Sequence, residues 1–310
     1  MNNIYVGITD FDWFKKLSAI PKIDEVNFWQ PGGKQLFKVL APGEMFLFKL
    51  RAPRNCIVGG GFFIRSSLLP LSLAWESFGE KNGVESLEEM RLRTTKLRHD
   101  KSVEGIDYTV GCVILGEPFF FSEPEWIPVS SFWSPAIVQG KHFSLNEEIG
   151  SRLFREVHDR LQLQRFDIEH PILTASEPRF GSPQTILPRL GQGAFRVVVT
   201  EEYGRCCSIT KERTLPVLEA AHIKPYTQSG PHEIGNGILL RSDLHILLDK
   251  GYITINDRYR LEVSKRIKEE FENGRDYYKL MDSEIHKPLD LRSWPDKKYL
   301  QWHNENVFRK

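Results

Sequence analysis

Between Cys206 and Lys250 the chain sets two histidines and an asparagine in the order His222, Asn236, His245. Glu219 stands shortly before the first histidine, and Asp249 follows the second by one helical turn. These side-chain types suit hydrolysis of a phosphodiester. A neutral imidazole titrates near working pH and takes a proton from an attacking water. A divalent cation held by few protein ligands keeps positions open for a phosphate and neutralises its developing charge. The pattern gives His222 the role of base and puts His245 and Asp249 on the metal side. Asn236 is left to tie loop to strand through its amide, holding His222 in one orientation.

Such groups need a scaffold, and the flanking residues predict one. Thr214 to Ile223 is mostly apolar and stops at Pro225, as a short strand does. Residues 226–237 carry Ser229, Gly230, Pro231 and Gly235 and end in Asn236-Gly237, a strong turn signal. Ile238-Leu239-Leu240 reads as a second short strand. Ser242 then reads as a helix N-cap with Asp243 at the positive helix end. Leu244, Leu247 and Leu248 form its buried stripe, and Gly251 supplies a left-handed stop. The expectation is β-β-α with polar groups converging. His232, in the intervening loop, reads as an exposed loop residue. Cys206-Cys207 has no second cysteine pair at zinc spacing and reads as packing.

The runs Leu218-Glu219-Ala220-Ala221-His222-Ile223 and Asn236-Gly237-Ile238-Leu239-Leu240-Arg241-Ser242-Asp243-Leu244-His245, then Leu248-Asp249-Lys250-Gly251, resemble the HNH (ββα-metal) endonuclease family. The resemblance implies His222 as general base, Asn236 as the central asparagine and His245 as a ligand of Mg²⁺ or Mn²⁺. Many members place an Asp or His immediately before the base. Here that position is Ala221, so Glu219 or Asp249 is expected to complete the metal shell.

At 310 residues, 40% of them hydrophobic and 12% aromatic, the chain has room and material for about two cored domains. Cys56, Cys112, Cys206 and Cys207 show no disulfide framework, which points to a reducing cytoplasm. The opening residues lack a basic and an apolar leader region, and no stretch approaches a membrane span, so no membrane contact is expected. Residues 1–150 hold 16 basic and 18 acidic side chains and the remainder 26 and 23, giving −2 against +3. The slight bias favours a DNA-binding C-terminal half. Arg205, Arg213 and Arg241 are candidate phosphate contacts, with Arg179, Arg189, Arg196 and Lys211 thickening the approach.

The N-terminal half has another texture. Tyr5–Thr9, Glu44–Leu50, Cys56–Phe63 and Tyr108–Leu115 read as strands between Pro- and Gly-rich turns, with a helix from Glu85 to Leu97. Gly59-Gly60-Gly61 inside a strand implies close approach of backbone or ligand. Tyr5-Val6-Gly7-Ile8-Thr9-Asp10, Asn27-Phe28-Trp29-Gln30-Pro31, Pro42 to Lys49, Gly59 to Phe63 and Ala74 to Gly79 resemble an EVE-type domain of the PUA superfamily. The resemblance implies a pocket for a modified base, such as 5-methylcytosine or 5-hydroxymethylcytosine, turned out of the duplex. Trp29, Asn27, Gly60, Phe62 and Trp75 are the residues expected around it.

Ser144 to Leu163 reads as an amphipathic helix whose seam of Leu145, Ile149, Leu153 and Val157 either packs on its own domain or meets a second copy. Residues 171–188, rich in Pro, Ser and Gly, read as a linker. The fold class expected is α+β. Residues 1–145 would be a curved PUA/EVE-like sheet or barrel with inserted helices, 146–190 a helix and linker, and 191–310 a ββα-metal nuclease. The function expected is cleavage of double-stranded DNA bearing modified cytosine, with a homodimer as one way to cut both strands. The rival readings are a DNase indifferent to modification and a reader that has lost activity.

Overall fold

The structure, a computed structural model, describes residues 3–98, 107–129, 132–166 and 190–310, with side chains omitted at 163–166. The expected linker and the phosphate candidates Arg179 and Arg189 lie outside the described residues. The chain divides into two compact units, Met1–Arg189 and Leu190–Lys310. The class is α+β.

The first unit runs β1 (Asn3–Thr9), α1 (Phe11–Ser18), β2 (Glu25–Gln30), β3 (Met45–Leu50), β4 (Cys56–Pro70), α2 (Leu71–Phe78), α3 (Leu87–Leu97), β5 (Thr109–Phe120), β6 (Ile127–Pro128), β7 (Gly140–Ser144) and α4 (Glu148–Phe166). Asp10 caps α1 by accepting from the Trp13 amide, and Ser86 caps α3 by accepting from that of Glu89. The sheet order is β2-β5-β4-β3-β1-β7, with β6 on β4. Only β1 and β3 are parallel among the pairings described. Among the described residues β2 and β7 form the two edges of this sheet. β4 slips register against β5 between Gly60 and Phe62 and again between Phe63 and Arg65, irregularities of the kind that bend a strand.

Period-two alternation builds a core on each sheet face. Phe46, Phe48 and Leu50 of β3 face Trp13, Phe14 and Leu17 of α1. Met45 and Leu47, with Ile4 and Val6, belong to the opposite core, where Leu153 and Val157 of α4 pack. Leu145 and Ile149 sit against that same core. The α4 seam is therefore committed to its own unit and is not a free face for a second copy.

The second unit runs α5 (Gln192–Glu202), β8 (Leu218–His222), β9 (Gly237–Arg241), α6 (Ser242–Asp249), β10 (Ile253–Ile255), β11 (Leu261–Val263), α7 (Arg266–Phe271), α8 (Arg275–Tyr278) and α9 (Lys297–Asn306). β8 and β9 are antiparallel, pairing Leu218 with Arg241 and His222 with Gly237. One core joins Phe195 and Val199 of α5, Ala221 of β8, Ile238 to Leu240 of β9, Leu244 and Leu248 of α6, and Leu300 of α9.

One local expectation is corrected. Ser242 is the first helical residue of α6 and not its cap, because its hydroxyl donates to the Val217 carbonyl. Asn236 closes a 3₁₀ turn, Ile234–Asn236, and Gly237 then opens β9 in an extended conformation, φ −111°. Glycine is needed there for space, since a Cβ would lie 2.5 Å from Val199 Cγ2 and 3.0 Å from Phe195 Cζ.

Candidate functional site

The site forms where β8 ends, the 223–236 loop returns and α6 begins. Asn236 is wholly buried and ties the end of β8 to the returning loop. Its Oδ1 accepts from the Lys224 amide at 2.9 Å, and its Nδ2 donates to the Lys224 carbonyl at 3.0 Å and the Pro231 carbonyl at 2.9 Å. The amide thereby fixes the chain just after His222 and the residue just before His232. Gly230 makes this loop possible, because a Cβ there would meet the Lys224 carbonyl oxygen at 1.9 Å.

His222 lies face-on to Phe195 of α5, and its Nε2 is 2.9 Å from His232 Nδ1. His232 in turn stacks on Tyr226, centroids 4.6 Å apart. Burial, then the neighbouring His232 and His245, push the His222 imidazole down to about 4. It is neutral near pH 7, the form a base requires. His232 is thus half-buried and bonded to the central histidine, not an exposed loop residue. Nothing in the local pattern carried that contact, nor the one from Phe195, which lies far back along the chain.

The second cluster is His245, Glu219 and Asp249. His245 Nδ1 is 2.6 Å from Glu219 Oε2, and its Nε2 is 3.4 Å from Asp249 Oδ2. Burial opposes ionisation of Glu219, but the hydrogen bond from His245 holds its carboxyl below the usual range. Burial pushes Asp249 up, a shift that His245 opposes and Glu219 reinforces. Ala221, where many HNH relatives carry a ligand, is buried in the core.

These donors fit a loosely held divalent ion. With Glu219 accepting the Nδ1 proton, His245 presents Nε2 as a lone pair beside the Asp249 carboxylate. That makes two ligands of the kind Mg²⁺ or Mn²⁺ accepts alongside water and phosphate oxygen. Among the described residues no group of three His, Cys, Asp or Glu side chains is arranged to enclose an ion.

The phosphate candidates divide. Arg241 grips Asp243 through Nε at 2.6 Å and Nη2 at 2.8 Å, so its charge is matched. Arg205 is paired with Glu201 at 2.7 Å. Arg213 is exposed on the stretch leading into β8. Cys207 is buried in the core, where its sulfur accepts from the Arg241 and Thr210 amides.

In the first unit the five expected base-pocket residues do not gather. Asn27, wholly buried, donates to Asn82 Oδ1 at 2.9 Å, and Trp29 Nε1 donates to the Asn82 carbonyl. Asn82 also donates to the Ala74 carbonyl of α2, the helix that carries Trp75. Gly60 and Phe62 lie elsewhere: a Cβ on Gly60 would be 2.7 Å from Phe119 Cζ, and the Phe62 ring packs on that of Phe119. None of the five lines a cavity of roughly 620 Å³ in this unit, walled by Ile8, Lys49, Asn55, Trp133, Ile137 and Val138 among others, nor a second one of roughly 470 Å³ beside Phe11, Arg54 and Trp126.

Residues 207–256 match the HNH endonuclease family, so the second unit carries an HNH endonuclease domain, a phosphodiester hydrolase. Among solved structures, the ASCH protein from Zymomonas mobilis overlaps 49% of this chain and 94% of its own, at 11% identity and a TM-score of 0.33. The modification-dependent TagI restriction endonuclease overlaps 97% of this chain and 81% of its own, at 12% identity and a TM-score of 0.28. No curated protein matches the chain significantly.

Proposed function

We propose that this protein is a modification-dependent restriction endonuclease, cutting double-stranded DNA that carries 5-hydroxymethylcytosine or 5-methylcytosine. The observation that carries the hydrolytic half is the assembly around β8 and α6: a neutral His222 braced on Phe195, and a His245–Asp249 pair whose outer nitrogen is held by Glu219. His222 takes the proton from the attacking water. Asn236 keeps the end of β8 and the returning loop in register, so the imidazole holds one position. His245 and Asp249 would hold a divalent ion, which neutralises charge on the scissile phosphate and the leaving oxygen when bound.

The reading half is supported by the cavity of the first unit. Trp133 and the side chains of Ile8, Ile137 and Val138 offer a flat apolar slot to an extruded base. Lys49 Nζ donates to the Leu50 carbonyl and to Asn55 Oδ1, both at 2.9 Å, and lies 5.1 Å from the centre of the Trp133 ring. Among the described residues Asn55 Nδ2 has no hydrogen bond, and its donors would face the edge of the occupant.

The test is cleavage of one DNA in three forms, with cytosine, 5-methylcytosine or 5-hydroxymethylcytosine, each in EDTA, Mg²⁺ and Mn²⁺. Metal-dependent cutting confined to a modified form, lost with Trp133→Ala, is the expected result. Equal cutting of all three forms would leave a DNase indifferent to modification. Binding of modified DNA without cutting under any ion would leave an inactive reader.

A further inference from the structure

We infer that His232 is the positioning residue that sets the working tautomer of His222. The inference rests on the reading of His222 as the base. A hydrogen bond has one donor and one acceptor, so the 2.9 Å contact between His222 Nε2 and His232 Nδ1 holds a single proton. That proton has two places to sit, with opposite consequences. On His232 Nδ1, it makes His222 Nε2 the acceptor and puts the remaining proton of a neutral His222 on its Nδ1, leaving no lone pair for catalysis. On His222 Nε2, it frees Nδ1 as the base, and no hydrogen bond among the described residues occupies that nitrogen. Only the second arrangement is productive, and it requires His232 to present a bare Nδ1.

Two features of the loop hold His232 to that task, and a third, on α5, holds its partner. Asn236 Nδ2 grips the Pro231 carbonyl, so one buried amide sets both partners of the histidine pair. Tyr226 stacks on the His232 ring with planes 15° apart, which fixes the ring's rotation. Phe195 does the same for His222 at 10°. When His222 Nδ1 takes the proton from water, the ring becomes an imidazolium whose Nε2–H still points at a lone pair. His232 thus accepts a hydrogen bond from the His222 ring both before and after the proton is taken, so the ring keeps one orientation through the step.

Two measurements on the full chain test this. The first is the ¹⁵N spectrum of histidine-labelled protein at pH 7.5 without metal, which reads the tautomer independently of activity. His222 is expected with its proton on Nε2 in the wild type and as a mixture of tautomers in His232→Ala. A wild-type His222 protonated on Nδ1 overturns the proposal. The second is cleavage kinetics. His232→Ala is expected to lower kcat about 10- to 100-fold at unchanged KM for DNA. His232→Asn, whose amide oxygen replaces the Nδ1 acceptor, is expected to recover most of that loss. Full kcat in His232→Ala, or no recovery in a folded His232→Asn, overturns the proposal. His222→Ala is run alongside: if it still cuts at the wild-type rate, the base assignment itself has failed, whatever the spectrum shows.

Discussion

The Phe195 ring lies face-on to the His222 imidazole, with centroids 3.9 Å apart and planes inclined by 10°. Phe195 sits on α5, and Gly237 of β9 leaves it the room to reach β8. One face of the imidazole is thereby shut off from water, which favours the neutral form.

The stacked face can be separated from the packed volume. Phe195→Ala is expected to destabilise the protein by about 3–5 kcal/mol through the cavity it leaves. Phe195→Leu keeps most of that stability but offers no flat surface to His222. It should therefore fold and show a lowered kcat, measured by urea unfolding and cleavage together. A Phe195→Leu protein with wild-type kcat would show that the ring only fills space.

Glu219 and Asp249 flank the same ring but are expected to fail differently. Glu219→Gln removes the carboxylate that orients His245, and metal affinity should fall about 10- to 100-fold, with cleavage restored at higher Mn²⁺. Asp249→Asn removes a ligand charge and should resist such rescue. A metal titration of cleavage for both variants checks the distinction. Equal rescue of both would reverse it.

Arg213 and Arg241 should separate in salt. Arg213→Ala is expected to reduce the salt slope of DNA binding by about one counterion. Arg241 is matched by Asp243, so Arg241→Ala should leave that slope unchanged and lower stability by about 1 kcal/mol or less. Binding isotherms across a salt series decide between them.

His222 also ties stability to pH. Its folded value near 4 lies below the unfolded one of about 6.5, so the unfolded chain takes up the proton first as pH falls. The stability linked to the neutral ring is fully present above about pH 6.5 and is lost as pH falls through about 4. Denaturation midpoints in EDTA should drop more steeply over that window for wild type than for His222→Asn. The depressed His303 contributes with the same sign in both proteins and cancels from the comparison. Parallel curves would remove His222 as the cause.

Much of the nuclease unit was legible before its structure. The spacing of Leu244, Leu247 and Leu248 reports a helix buried on one side, and the apolar runs around Ala221 and Leu239 report two short strands. Asn236 was legible as a tie between loop and strand because its amide acts on residues nearby in sequence. The Asn236-Gly237 pair marked the turn that ends the loop, but the space glycine leaves for Phe195 and Val199 was not legible. In the first unit the strands were legible, but the partners of the expected pocket residues were not. Trp29 and Asn27 both bond Asn82, more than fifty positions away.

The sequence by itself determined the elements and the chemistry available: a strand ending in His222, a helix presenting His245 and Asp249, and a buried stripe to seat that helix. Periodicity and motif order encode these because each depends on residues within a few positions of one another. Only the tertiary structure decided which partner each group received. It gave His222 to His232 and Phe195, and His245 to Glu219. Those pairings depend on where the loop closes and how α5 lies on the β8–β9 pair, a geometry set by packing across the whole unit rather than by local spacing.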